Sequence, residues 1–172
     1  NTEICQSNEK AASCNQPPVA KCKEIRVGTD AGVCTAVVTP EMVNDGSFDP
    51  DGDPIALAIG LSTNSLSTNV VLTLGTNTVT LRVCDDKGAC DSCQAIVIVE
   101  DRTPPTVNCP APIAVEFQDE NGAVVPCTVT ASDTCSPVSM TVTPPCGSLF
   151  PIGVTSVQAT AWLALATNCA PL

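Results

Sequence analysis

The sequence predicts an all-β protein made of two small β-sandwiches in tandem, stapled by disulfides. Three observations carry this. Val, Thr and Ile recur in short alternating runs broken by Gly, Pro, Asp and Asn, while helical periodicity is almost absent. Fifteen prolines are hard to place in a helical protein. The pattern Pro-Pro-x-x-x-Cys occurs twice, as Pro17-Pro18-Val19-Ala20-Lys21-Cys22 and Pro104-Pro105-Thr106-Val107-Asn108-Cys109, so each copy opens a module. The repeat returns late in each module: Leu74-Gly75 before Thr78-Val79-Thr80-Leu81 matches Ile152-Gly153 before Thr155-Ser156-Val157-Gln158.

Taken in order, residues 1–16 form a polar arm that Cys5 and Cys14 could clip. The first module spans residues 17–100, with strands expected at 19–27, 34–39, 55–59, 70–74, 78–84 and 93–99. Its turns are Gly28-Thr29-Asp30-Ala31-Gly32, an acidic loop over 41–53, and Asp85-Asp86-Lys87-Gly88. Asp101-Arg102-Thr103-Pro104-Pro105 is a short stiff linker, because paired prolines hold the backbone extended. The second module spans 101–172, with strands expected at 113–118, 124–130, 138–143 and 155–165. Asn121-Gly122 between two alternating runs predicts a hairpin. Two tandem sandwiches of immunoglobulin-like design satisfy this pattern most economically.

Each module would hold roughly 70 to 85 residues, a size at which one core is marginal and covalent staples help. Twelve cysteines supply them: Cys5, Cys14, Cys22, Cys34, Cys84, Cys90, Cys93, Cys109, Cys127, Cys135, Cys146 and Cys169. An even number without any histidine reads as a disulfide framework in an oxidising compartment. The rival, a thiolate zinc site, has only Cys90-x-x-Cys93 at suitable spacing. Cys84 and Cys90 flank one tight turn, and Cys22 and Cys34 bracket another hairpin, but spacing alone leaves the connectivity open. Seven basic against eighteen acidic residues give a net charge of −11. Such a surface argues against nucleic acid and anionic membranes as partners. No apolar run approaches the ~20 residues needed to span a bilayer. With no leader at Asn1, the sequence reads as a processed, secreted or cell-surface protein.

Two stretches resemble known extracellular modules. Asn44-Asp45-Gly46-Ser47-Phe48-Asp49-Pro50-Asp51-Gly52-Asp53-Pro54-Ile55, with Gly75-Thr76-Asn77-Thr78-Val79-Thr80-Leu81 and Asp85-Asp86-Lys87-Gly88-Ala89, resembles PKD-like repeats, which occur in bacterial secreted and surface proteins. The stretch Asp101-Arg102-Thr103-Pro104-Pro105-Thr106-Val107-Asn108-Cys109-Pro110 resembles the start of a hyalin repeat (HYR domain). Ala131-Ser132-Asp133-Thr134-Cys135-Ser136 and Gly147-Ser148-Leu149-Phe150-Pro151-Ile152-Gly153 extend that likeness. The resemblance implies β-sandwiches with an adhesive, spacer or structural role, and no enzyme. It also exposes a departure: hyalin repeats continue through a Gly-Asn turn and a Cys to a last strand. Here the region reads Trp162-Leu163-Ala164-Leu165-Ala166-Thr167-Asn168-Cys169-Ala170-Pro171-Leu172, so the second sandwich is expected to lack its closing strand.

The best site candidate is the acidic loop. Asp49, Asp51 and Asp53 alternate around Gly52, with Asp45 nearby, and oxygen donors so spaced suit calcium. The bland alternative is a solvated Asp-Pro/Asp-Gly turn. Trp162 is the only tryptophan and there is no tyrosine, so a carbohydrate platform is weakly supported and Trp162 is expected in the core. Without histidine, Ser-His-Asp and Cys-His catalysis are impossible, and the carboxylates cluster in turns.

An open sheet edge recruits partners. The leading expectation is therefore an extracellular structural subunit that polymerises with copies of itself into a filament or surface layer. One subunit would donate a strand to the next through the arm (Ile4 its only large apolar residue) or the apolar tail bearing Trp162, Leu163, Leu165 and Leu172. The alternatives are an adhesive or spacer module of a larger secreted protein, and a glycan-binding accessory domain.

Overall fold

A computed structural model describes residues 15–163. The chain divides into one unit of Asn1–Glu100 and a second of Asp101–Leu172. The expected arm clip between Cys5 and Cys14, together with Ile4, Leu165, Cys169 and Leu172, lies outside the described residues.

Unit 1 is a sandwich. Its strands are β1 (Ile25–Gly28), β2 (Thr35–Val38), β3 (Ile55–Ser62), β4 (Ser65–Ser67), β5 (Val70–Thr73), β6 (Gly75–Asp85) and β7 (Cys90–Glu100). A single helical turn, α1 (Pro40–Val43), follows β2, started by a proline that needs no amide partner there. One sheet runs β1-β7-β6-β3-β4 and the other pairs β2 with β5. That division is the immunoglobulin-like one, with the final hairpin and the third strand in one sheet and the second and fifth strands in the other. From Thr78 to Val83 β6 alternates polar and apolar residues, so Val79, Leu81 and Val83 point inward with Ala95, Val97 and Val99 of β7. Ala36, Val38 and Leu72 of the small sheet and Val43 of α1 close the core from the other side. The expected strand over 19–27 is shorter: only Ile25–Gly28 forms a ladder, parallel to β7, and Val19 and Cys22 make isolated bridges to Phe48 and Asn44. At Gly60 in β3 a Cβ would stand 1.9 Å from the Ser65 carbonyl oxygen, so only glycine admits the β3–β4 return.

Two disulfides join described residues of unit 1. Cys84–Cys90 spans the turn between β6 and β7, and Cys22–Cys93 ties the entry segment to β7 across 71 residues. Cys22 is therefore not joined to Cys34, whose side chain is in a different disulfide. Both sulfurs of the Cys90-x-x-Cys93 pair are consumed, which removes the zinc alternative.

Unit 2 is built from short pieces: β8 (Thr106–Asn108), β9 (Ala123–Val124), β10 (Thr130–Ser132), β11 (Val138–Thr143), β12 (Leu149–Phe150) and β13 (Gln158–Leu163). They pair two by two, β8 with β10, β9 with β12 and β11 with β13. Cys127–Cys146 staples this unit. The turn at Asn121-Gly122 forms, but the expected hairpin does not. Residues 113–118 make no ladder, and β9 pairs instead with Leu149–Phe150. Gly122 permits this: its φ is +123°, and a Cβ would meet the Phe150 carbonyl oxygen at 1.8 Å. Cys109 is a free, exposed thiol, so one of the expected bridges is not made. Trp162 is 46% exposed rather than core, because β13 turns Gln158, Thr160 and Trp162 outward and Ala159, Ala161 and Leu163 inward.

Truncating the inner face of β6 tests this account. Leu81→Ala is expected to cost about 2–5 kcal/mol. Val37→Thr, at a side chain 45% exposed on β2, is expected to cost no more than about 0.5 kcal/mol. Urea unfolding followed by circular dichroism distinguishes the two.

Candidate functional site

Two features outside the packed core stand out, one in each unit. The first is an acidic knot at one end of unit 1. In the loop before β3, Asp49 folds back on its own chain: its Oδ1 accepts the main-chain N–H of Asp51 at 2.8 Å and of Asp53 at 3.4 Å. The intervening Gly52, with φ of +82°, makes the turn tight enough for this. In the turn between β6 and β7, Asp85 plays the same part, its Oδ1 accepting N–H groups from Lys87 at 2.9 Å and Ala89 at 2.8 Å. The β3–β6 register sets Ile55 opposite Asp85, which brings the two turns side by side. As a result Asp49, Asp53 and Asp85 can each place a carboxylate oxygen so that all lie within 4.8 Å of one another.

Of the four sequence-predicted ligands, Asp49 and Asp53 are in this set and Asp45 and Asp51 are not. Asp51 is exposed and taken by Gln16, whose main-chain N–H donates at 2.7 Å and side-chain amide at 2.9 Å. Those two bonds hold its carboxyl below the usual range. Asp45 is exposed, in the turn where Asn44 Oδ1 accepts the Ser47 N–H. Asp85, missed in the sequence, takes the side-chain amide of Asn15 at 2.7 Å. That bond, ahead of its main-chain donors, lowers its pKa. The Lys87 ammonium bonds Asp53, which raises the lysine pKa. Asp49 is 8% exposed, and its Oδ2 is buried without a hydrogen-bond partner. A second acidic group in unit 2, Asp101, Asp133 and Cys135, is no metal cradle, because the Cys135 sulfur is in a disulfide.

The second feature is an apolar trough of about 650 Å3 in unit 2. Residues 109–118 run past it without ladder partners among the described residues, and their alternate side chains Ile113, Val115 and Phe117 line it. Opposite stand Ile152, Val154 and Val157, and no charged side chain lines the trough. Phe117 is 66% and Val154 fully exposed, so an apolar surface normally buried in a sandwich lies open. Nearby, β13 has a single ladder partner among the described residues, β11, whereas the matching strand of unit 1, β6, is paired on both edges. Every described strand of unit 2 sits in a two-stranded pair and has one unpaired edge, β13 among them, and the region of the expected missing strand lies outside the described residues.

Residues 100–162 match the family model of the HYR domain, covering most of unit 2 and only Glu100 of unit 1. No curated protein matches the chain. Among solved structures, an I-band fragment from titin is similar, with 13% identity and a TM-score of 0.32 over 89% of this chain. The chain spans 57% of that fragment's length. No helix among the described residues is long and apolar enough to cross a membrane.

Two measurements follow from this geometry. An apolar dye should bind the trough, and Phe117→Asp should abolish its fluorescence gain while Phe48→Ser in unit 1 leaves it unchanged. The second concerns Asp101, whose carboxyl the Ser136 hydroxyl (2.5 Å) and then the Thr103 N–H (3.0 Å) hold below its ordinary value of 3.8. A carboxyl depressed in the folded state stabilises above its unfolded pKa and loses that contribution as pH falls through its folded one. Between about pH 5 and about pH 3 the melting temperature read by Trp162 fluorescence should therefore fall more steeply for the native chain than for Asp101→Asn.

Proposed function

We propose that the chain is a non-enzymatic adhesive or spacer segment of a larger extracellular protein. The HYR match over unit 2, within an all-β chain stapled by disulfides, carries this reading. Disulfides persist in oxidising compartments, which supports an extracellular setting. The absence of histidine, and carboxylates committed to turn hydrogen bonds, favour a binding or load-bearing role over acid-base chemistry.

One observation favours a second reading, homotypic strand addition. The trough and the unpaired edge of β13 ask for an extended, uncharged chain. Residues 164–172 read Ala-Leu-Ala-Thr-Asn-Cys-Ala-Pro-Leu without a charge, whereas residues 1–14 carry Glu3, Glu9 and Lys10. The occupant on this reading is the 164–172 segment of a second copy, about 30 Å long when extended. A filament follows if each copy both gives and receives.

Sedimentation velocity and negative-stain microscopy of the purified full chain separate the readings. The spacer reading expects a monomer of 17.6 kDa and discrete particles. Fibres that vanish in Phe117→Asp and on deletion of residues 164–172 would replace it with strand addition. A monomer destabilised by the same deletion would place the segment in its own trough.

A further inference from the structure

We propose that Asp49, Asp53 and Asp85 form a site for a hard divalent cation, calcium by its size, which locks the loop before β3 to the turn between β6 and β7. The proposal does not rest on the functional reading above. Three carboxylates that bring oxygens within 4.8 Å of one another match the spread around one calcium ion, since two oxygens on a shared ion lie at most about twice a bond of ~2.4 Å apart. Proximity of acids alone would mean little. The deciding observation is Asp49 itself, 8% exposed within this group, whose Oδ2 is buried and has no hydrogen-bond partner. A carboxylate oxygen withdrawn from water and left unpaired is costly, and a cation at this point would satisfy it.

The other contacts prepare the ligands. Asp49 Oδ1 is fixed by the N–H groups of Asp51 and Asp53, and Asp85 by Lys87 N, Ala89 N and the Asn15 amide. Hydrogen bonds of this kind orient ligating carboxylates from outside the coordination shell. Among the described residues, the single positive charge bonded within the group is the Lys87 ammonium on Asp53. One ammonium against three carboxylates leaves the knot negative, and Lys87 is 51% exposed on a mobile stem, so it can give way to a doubly charged ion.

Isothermal titration of the full chain with calcium chloride tests this, with melting temperature as a second readout. The expected result is one calcium per chain and a rise in melting temperature of roughly 10 °C at a hundredfold excess over Kd. Asp49→Asn keeps the Oδ1 acceptor of the turn, so it should fold, yet bind calcium about a hundredfold more weakly. Its metal-free melting temperature should match or exceed that of the native chain, which a purely structural aspartate would not allow. Lys87→Met should bind about tenfold more tightly, having lost the competing charge. Asp45→Asn and Asp51→Asn should bind as the native chain does. The proposal is overturned if neither the native chain nor Lys87→Met takes up calcium, or if Asp49→Asn binds it undiminished.

Discussion

Unit 1 depends on the antiparallel ladder between β6 and β7, which runs from Gly75 opposite Val99 to Cys84 opposite Cys90. β6 alternates apolar and polar residues from Thr78 to Val83, and β7 buries Ala95, Val97 and Val99 while Ile96 and Ile98 stay more exposed, so the register is fixed by burial. A slip of one residue would turn Thr78, Thr80 and Arg82 toward the core in place of Val79, Leu81 and Val83. The disulfide Cys84–Cys90 holds one end of the ladder, and Cys22–Cys93 ties its core-facing side to the entry segment. Everything else in the unit attaches to this hairpin. β3 pairs along one edge, β1 lies parallel along the other, and the small sheet closes over the inner face.

Unit 2 has the same ingredients without such a ladder. Its strands are two to six residues long, and its buried apolar residues among those described are Ala123 and Phe150. The segment that should supply a long strand, residues 109–118, contains Pro110 and Pro112, which cannot donate to a ladder. Its apolar side chains alternate as a strand's would, yet they stand in the open trough. A unit this thin relies on Cys127–Cys146 and on tight turns such as Gly122 against Phe150, because a staple constrains the unfolded chain where a core is too small.

The all-β class was legible because strand period and turn residues are local signals, and the long strands of unit 1 fall near the alternating runs. The pieces that were not legible depend on distant partners. Nothing local says that 113–118, as alternating as any true strand, finds no ladder, or that Leu149–Phe150 takes its place beside β9. The helical turn at Pro40–Val43 is too short to show a period. Cysteine pairing was legible only where the bridge is local, as at Cys84–Cys90; Cys22 reaches across 71 residues to Cys93, past the nearer Cys34. The acidic knot shows the same limit. Reading along the loop picks Asp45, Asp49, Asp51 and Asp53, whereas the fold keeps two of these and brings Asp85 from a strand end, through a pairing that no spacing reveals.

The two units therefore leave opposite kinds of group unsatisfied. Unit 1 is well packed, and what remains unmet is polar: a buried carboxylate oxygen on Asp49 with no donor. Unit 2 is thinly packed, and what remains unmet is apolar: Phe117, Val154 and their neighbours around an uncharged trough. A free-standing domain would lower its free energy by removing either feature, Asp49 by an amide and the apolar face by polar residues, because neither is needed to hold the backbone where disulfides and turns already do. The proposed cation would meet the first, and an extended apolar segment, from this chain or a second copy, would meet the second. On the proposed reading as an adhesive or spacer segment, a cation and an extended chain are contacts that the surroundings can supply.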